Sequence, residues 1–418
     1  MGVDRTGFSP RVQQEIVHAG VHGVSYQQAS RDLAELSDLR VAPKPVERLT
    51  RRIGRERIDA RDAAVAAFER LPLMAKDAVA DPSRPRPPVA MVSIDGGRLQ
   101  VRSSSSESES ESEAKRSGHW RESKVSVLET YRSEAHPADP DPDVPRCFLD
   151  LKRTSTLVRG LGHALPVGLE FAGAGPTPTR DEPATTGRDR KARPGRPRRL
   201  VRSVLASRAC AAAFGPMMHQ AAWGRNFFGA GRKVFLGDGL PANWTIRRRH
   251  FASFEAILDF VHALSYVFAA ALAGRPQAEG VAVYKRWIQA VWSGQVATIL
   301  AELEAHSATL GVPPPECAAS DPRKLVFEAW RYLRNHASRM RYDDYRRRGL
   351  PIMTSAVEST IKQINRRVKG GEKFWSEPGA EAILQLRADF LSETETMTRF
   401  WSAREAQASG GRPYRRVA

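Results

Sequence analysis

The chain has 418 residues, more than a typical single domain, so it must bury two or three cores or one core with a large insertion. Its 65 Lys and Arg against 47 Asp and Glu leave a formal charge of +18, which favours a polyanionic partner, nucleic acid first and an anionic membrane second. Cys147, Cys210 and Cys317 are too widely spaced for a disulfide framework or a zinc site, and the N-terminus lacks the apolar core and cleavage site of a secretory signal, so a cytoplasmic, nucleoid-associated protein is expected.

Residues 10–57 carry helical periodicity. In "SYQQASRDLAEL" Tyr26, Ala29, Leu33 and Leu36 recur at helical spacing. In "PKPVERLTRRIGRER" Val46, Leu49 and Ile53 do the same, while Arg48, Arg51, Arg52 and Arg55 occupy the other faces. Pro43 suits a first helical turn, although Ala42 stands where Ser, Thr or Asp would cap better. Two short helices joined by "SDLRVA", the second one basic, predict a helix-turn-helix-like DNA-binding domain over 1–85 with those four arginines on DNA; a three-helix interaction bundle is the alternative. "PSRPRPP" then reads as a linker.

In "VAMVSIDGGRLQVR" a short apolar run reaches Asp95, Gly96-Gly97 is expected to turn the chain, and Leu99 and Val101 alternate in a second strand. The low-complexity "SSSSESESESEAKR" and a stretch near 176–196 have little apolar surface to bury, which predicts disorder near 103–117 and 176–196. "HWRESKVSVLETYR" resumes strand alternation and predicts an antiparallel meander. A helix is expected near "LKRTSTLVRGLGHAL". "RPGRPRR" offers Arg196 to a minor groove, with a solvated basic linker as the plainer reading. A strand "RLVRSVLAS", a helix through "AAAFGPMMHQAAWGRNFF" and a strand "KVFLGD" ending at Asp238 follow.

The apolar run "AILDFVHALSYVFAAALAG" at 256–274 nears the ~20 residues of a membrane helix, but Asp259 and His262 lie inside it, so a buried strand leading into a buried helix is expected. From 269 to 345 the periodicity is helical throughout, with Trp287, Trp292, Trp330 and Tyr332 among the apolar positions. Residues 346–401 are expected to hold the final helices and 402–418 a basic tail whose end, "GGRPYRRVA", is loose.

Asp95 and Asp238 each close a short apolar strand and each precede Gly, which leaves a carboxylate at a strand end with little bulk around it; a simple Asp-Gly turn is the alternative. Glu358 lies in "TSAVESTIKQINRRVKG", where Ser355-x-x-Glu358 also reads as a capping box. Lys362 and Arg366 follow at successive helical turns on the face of Glu358, with Lys369 beyond. A carboxylate beside cations suits a site that cuts a phosphodiester, against a solvated ion-pair face; Gln363 and Asn365 stand where they would touch base or sugar edges. Asp on the first strand, Asp on the fourth and Glu on a late helix match an RNase H-like arrangement. Such carboxylates hold two hard divalent ions, Mg²⁺ or Mn²⁺, about 3.5–4 Å apart.

The stretches "VSIDGGRLQV", "RNFFGAGRKVFLGDGLPANWTI", "AILDFVHALSYV" and "RYDDYRRRGLPIMTSAVESTIKQINRRVKG" together resemble bacterial insertion-sequence DDE transposases of the Kra type, relatives of the Mutator-like group, over about residues 10–401. The resemblance implies that Asp95, Asp238 and Glu358 are the catalytic, metal-binding triad and that Asp259 and His262 are the accessory Asp-x-x-His element. It implies an α/β protein with an RNase H-like catalytic core, a mixed sheet with flanking helices, over 86–268 and 346–401. That core would carry an all-helical insertion at 269–345 and follow the all-α N-terminal domain. The implied activity is binding of the element's terminal inverted repeats, Mg²⁺-dependent strand cleavage and strand transfer to target DNA, by a homo-oligomer on DNA and away from any membrane. An inactive transposase-derived DNA-binding protein and an RNase H-like nuclease are the alternatives. Trp244 and Trp375 are expected to pack against the insertion or to stack on an unpaired base. The Ser/Glu tract and residues 160–198 depart from the family pattern; neither contains a triad residue.

Overall fold

The structure, a computed structural model, describes residues 7–101, 120–169, 196–353, 355–370 and 373–409, apart from the side chains of Ser355, Ala356, Glu358 and Ser409. The stretches expected to be disordered lie outside the described residues, except Arg196. That side chain pairs with Asp141 through its Nε at 2.9 Å.

The β-branched and apolar runs form a six-stranded mixed sheet in the order β3-β2-β1-β4-β5. β1 (Val89–Val101) pairs antiparallel with β2 (Trp120–Arg132), which pairs antiparallel with β3 (Arg198–Ser207). On its other side β1 runs parallel to β4 (Arg232–Gly237), and β4 runs parallel to β5 (Glu255–Leu258). Where β4 stops, the two residues of β6 (Phe374–Trp375) take over the edge of β1 at Gln100 and Val101.

β1 continues straight through Gly96-Gly97, paired with Lys124 and Ser123, so the turn expected there is corrected to strand interior. Gly97 serves close approach. A Cβ on Gly97 would lie 2.9 Å from Ser123 Oγ, with Asn365 and Ile361 of the helix Ser355–Val368 just beyond.

Along β2, Val125 and Val127 point to one face and Leu128 to the other, and each face has its own hydrophobic cluster. Leu128 belongs with the helices Ala211–Trp223, Pro241–His250 and Phe260–Leu272, and with the helical segment 277–347. That segment is all-helical as expected: Gln277–Trp292, Val296–Leu310, Pro322–His336 and Tyr342–Arg347. Val125 and Val127 belong with Leu99, Ile383 and Leu386, and also with Ile16, Val17, Leu49 and Ile53 of the N-terminal helices. The apolar faces of Pro10–His22, Tyr26–Ser37 and Pro43–Glu69 are thus continuous with the core on this side of the sheet.

The last of these is one unbroken helix of 27 residues, not the short helix expected. Its extension is held by remote partners. Arg57 Nε donates to Asp389 at 2.9 Å, and Arg61 Nη1 donates to Glu381 and Gln385, each at 3.0 Å. One turn before Arg57, Gly54 meets the helix Glu377–Leu391, where an added Cβ would lie 2.7 Å from both the Cβ and the carbonyl oxygen of Ala382. Ala is the better helix former by roughly 1 kcal/mol. Yet Gly54→Ala is expected to destabilise the protein by about 1–3 kcal/mol, because backbone cannot yield as a side chain can. Denaturant midpoints would decide it, and a more stable variant would show that the two helices separate freely.

The apolar run at 256–274 divides as expected into β5 and the helix Phe260–Leu272, and among the described residues no helix is long and apolar enough to cross a membrane.

Candidate active site

Parallel β1 and β4 have Ile94 and Gly237 as their last paired residues, so Asp95 and Asp238 are the next residue on each of two strands ~4.8 Å apart. Beyond this point the strands differ. β1 goes on, and Asp95 Oδ1 accepts the Gly96 N–H at 2.6 Å. β4 stops, and Gly239 with φ +99 redirects the chain into the helix Pro241–His250. Asp238 Oδ1 accepts from Leu240 N at 3.0 Å and Asn243 Nδ2 at 2.8 Å, which fixes the carboxylate ahead of that helix N-terminus. The Asp238 carbonyl accepts from Tyr332 Oη at 2.6 Å.

Asp259 follows β5, the third parallel strand of this group. It is buried, caps the helix Phe260–Leu272 by accepting from Val261 N at 2.8 Å, and ties back to β4 through its own N–H to the Gly237 carbonyl at 2.9 Å. His262, one turn on, is half-buried and faces the same space as Asp95.

That space is a cleft of about 700 Å³. Asp95 and Gly96 form its floor, His262 one wall, and Ile361, Lys362 and Asn365 of the helix Ser355–Val368 another. Glu358 is on this helix one turn before Lys362; its side chain lies outside the described residues. The third wall is the helix Leu151–Gly160, which brings Lys152, Arg153 and Thr156 to the cleft behind its cap Asp150. The sequence shows this helix but gives it no role. Only its docking on the helix Phe260–Leu272 places its cations opposite Lys362. Asp238 is outside the lining of this cleft.

The other basic candidates divide by exposure. Lys362, Arg366 and Lys369 are exposed on their helix, Lys369 5.6 Å from the Trp120 ring centroid. Arg48 and Arg55 are exposed and lie two helical turns apart on one face. Arg51 and Arg52 are engaged: Arg51 with Glu47 at 3.2 Å and Ser376 at 3.1 Å, Arg52 with Gln13 at 3.4 Å and Glu56 at 3.7 Å. Trp244 is buried beside Phe235, His336 and Arg339, which is packing toward the helical segment. Trp375 packs instead on Tyr26 and donates to the Val368 carbonyl at 2.9 Å, away from that segment.

Among the described residues no group of three or more His, Cys, Asp or Glu is gathered closely enough to hold a metal ion. Asp95 and Asp238 fit a hard divalent cation in kind, since both are half-exposed carboxylates directly after the last paired residues of two parallel strands and Asp238 accepts its hydrogen bonds from Leu240 and Asn243 on Oδ1.

Two buried histidines near these elements give the fold a pH dependence. His219 is held to about pKa 4 by burial and then by His250, and His336 to about 4 by burial and then by Arg339. The unfolded value is about 6.5, so the unfolded chain binds more protons between the two values. Stability is full above pH 6.5 and declines as pH falls toward 4. Urea unfolding at pH 5 is expected to show about 2–4 kcal/mol less stability than at pH 7.5 from this pair. A flat profile over that range would contradict it.

No family model matches the chain, and no curated protein matches it significantly.

Proposed function

We propose that the chain is a DDE transposase that binds the ends of its own insertion sequence, cuts them, and joins the 3′-hydroxyls to target DNA. One observation carries the reading. Asp95 and Asp238 stand at adjacent positions of neighbouring parallel strands, and the helix bearing Glu358 and Lys362 crosses the same strand at Gly97. A sheet in which β2 alone runs against the others, with an Asp on its first strand and an Asp after its fourth, supports an RNase H-like core.

Asp95, Asp238 and Glu358 would hold Mg²⁺ or Mn²⁺. When bound, the metal pair supplies acidification of the attacking water or 3′-hydroxyl and positive charge for the leaving oxygen. The protein's own cations do the positioning. Lys362 on one wall and Lys152 and Arg153 on the other would grip the phosphates flanking the scissile bond, and His262 would bound the DNA from the side of the strand ends. Arg48 and Arg55, with Arg51 and Arg52 held beside them, would supply affinity for the inverted repeats. Handling two ends in one complex requires at least a dimer on DNA.

The test is incubation of the full chain with Mg²⁺ and DNA containing the flanks of its own gene. Transposition predicts new 3′ ends at the element boundary and joined products. Cleavage without joining would make the protein a nuclease, and binding without cleavage would make it a DNA-binding protein only.

A further inference from the structure

A second cleft, of about 620 Å³, adjoins the first where β4 ends. Gly239 lines it, directly after Asp238, and so does Tyr266, one turn after His262 on the same helix. The residues that line the two clefts from this helix are therefore about 5–6 Å apart. His163 bridges them, 4.6 Å from the Tyr266 ring and 6.4 Å from the His262 ring between centroids.

Three arginines converge on this cleft: Arg248 from the helix Pro241–His250, Arg331 from the helix Pro322–His336, and Arg339 just beyond it. None forms an ion pair with a carboxylate among the described residues. Arg248 donates to Thr245 Oγ1 at 2.8 Å, and Arg339 donates to His336 Nδ1 at 2.9 Å while its guanidinium lies 4.5 Å from the Trp244 ring centroid. Glu328 is the single acid of the lining. Burial, and then Arg247 and Arg248, push the Arg339 pKa down, so like charges are gathered here against their mutual repulsion. Some arginines elsewhere have a carboxylate partner, as Arg57 has in Asp389 and Arg346 in Asp139, each at 2.9 Å, and others, such as Arg225, are held by carbonyl oxygens; those of this cleft face open space instead. Rigid guanidinium forks that lack a carboxylate partner suit phosphate oxygens.

We propose that this cleft is a phosphodiester-binding site for one nucleic-acid strand, held by Arg248, Arg331 and Arg339. It rests on the transposase reading only in taking that strand to be the DNA that passes through the Asp95 cleft. Cations in the two clefts would then hold phosphates on either side of the Asp238 strand end.

The test uses the full chain and a fluorescein-labelled oligothymidylate of about 12 nucleotides, read by anisotropy over a salt series. Arg248→Gln with Arg331→Gln removes two exposed cations that pack against little, and a matched melting curve will show that the variant folds. It is expected to bind roughly tenfold more weakly at low salt and to lower the salt slope by about 1.4, about 0.7 for each lost single-strand contact. The control is Arg249→Gln with Arg334→Gln, two exposed arginines on the same two helices but outside the cleft, and it is expected to bind as wild type.

Equal weakening in both pairs would reduce the effect to net charge and overturn the site. So would failure of the wild-type chain to bind the oligonucleotide, or competition by inorganic phosphate at the same phosphate concentration. End cleavage in Mg²⁺ is measured on the same proteins, which separates the two proposals. Wild-type cleavage with unchanged oligonucleotide binding in the cleft variant sinks this site and leaves the transposase reading standing. Loss of binding in the cleft variant from a wild-type chain that cuts nothing does the reverse.

Discussion

Asp238→Asn is expected to abolish metal-dependent cleavage and leave the fold unchanged. The side chain accepts from Leu240 N and Asn243 Nδ2 through one oxygen, Oδ1, and an asparagine keeps a carbonyl oxygen in that place. What it loses is the negative charge. A site that holds divalent cations with carboxylates cannot spare that charge, and loss of one group stabilising the transition state commonly costs 10²–10³-fold, so a fall of at least about that size is expected. Asp95→Asn should behave alike, because an asparagine carbonyl oxygen can also accept the Gly96 N–H that Asp95 Oδ1 accepts at 2.6 Å. Rates on element-end DNA in Mg²⁺, beside melting curves, decide between the two roles these residues have in the sequence. Cleavage at the wild-type rate by either variant, with normal folding, would leave that aspartate without a role in cleavage and remove the metal site.

The strands were legible because their signals are local: period-two alternation, β-branched runs, and a change to Ala-rich periodicity after Asp259. The errors arose where a residue answers to a partner remote in sequence. Gly96-Gly97 reads as a turn by dipeptide, but both residues pair with a strand some 26 residues on, where a Cβ on Gly97 would press on Ser123. The polar second half of Pro43–Glu69 shows no reason to stay helical until Asp389 and Glu381 are seen to meet Arg57 and Arg61. Lys152 and Arg153 reach the Asp95 cleft through the docking of an element that the sequence shows only as a helix within a loop. Charge in a sequence gives number and sign. It does not tell an exposed cation such as Lys362 from a buried one such as Arg367, five residues on.

Arg367 carries the second large expected effect. It belongs to the basic run of the Glu358 helix but is only 4% exposed. Its Nε donates to the Gly20 carbonyl at 3.1 Å and its Nη1 to the Val24 carbonyl at 3.2 Å, and its guanidinium lies between the rings of Tyr26 at 4.6 Å and Trp375 at 5.0 Å. Gly20 is in the last turn of the helix Pro10–His22, where carbonyls lack intrahelical partners and the dipole favours a cation. Desolvation opposes burial of the charge and pushes the pKa down, so the group holds its place through those two acceptors and two π faces.

Arg367→Met keeps much of the volume and removes the desolvated charge, which by itself would be neutral or favourable. It also leaves two carbonyls without their donor, at about 1–3 kcal/mol each. The second effect wins, and a net loss of about 2–5 kcal/mol is expected in denaturant unfolding. Arg367→Lys should fall between, since one ammonium replaces a fork that spans both oxygens. A loss under about 1 kcal/mol for the Met variant would show that Gly20 and Val24 find water instead. Because Arg367 and Lys362 share a helix, loosening its end shifts a wall of the Asp95 cleft. End cleavage by the Lys variant should therefore fall further than its melting temperature alone accounts for, whereas a purely structural clamp would change cleavage only in proportion to the folded fraction.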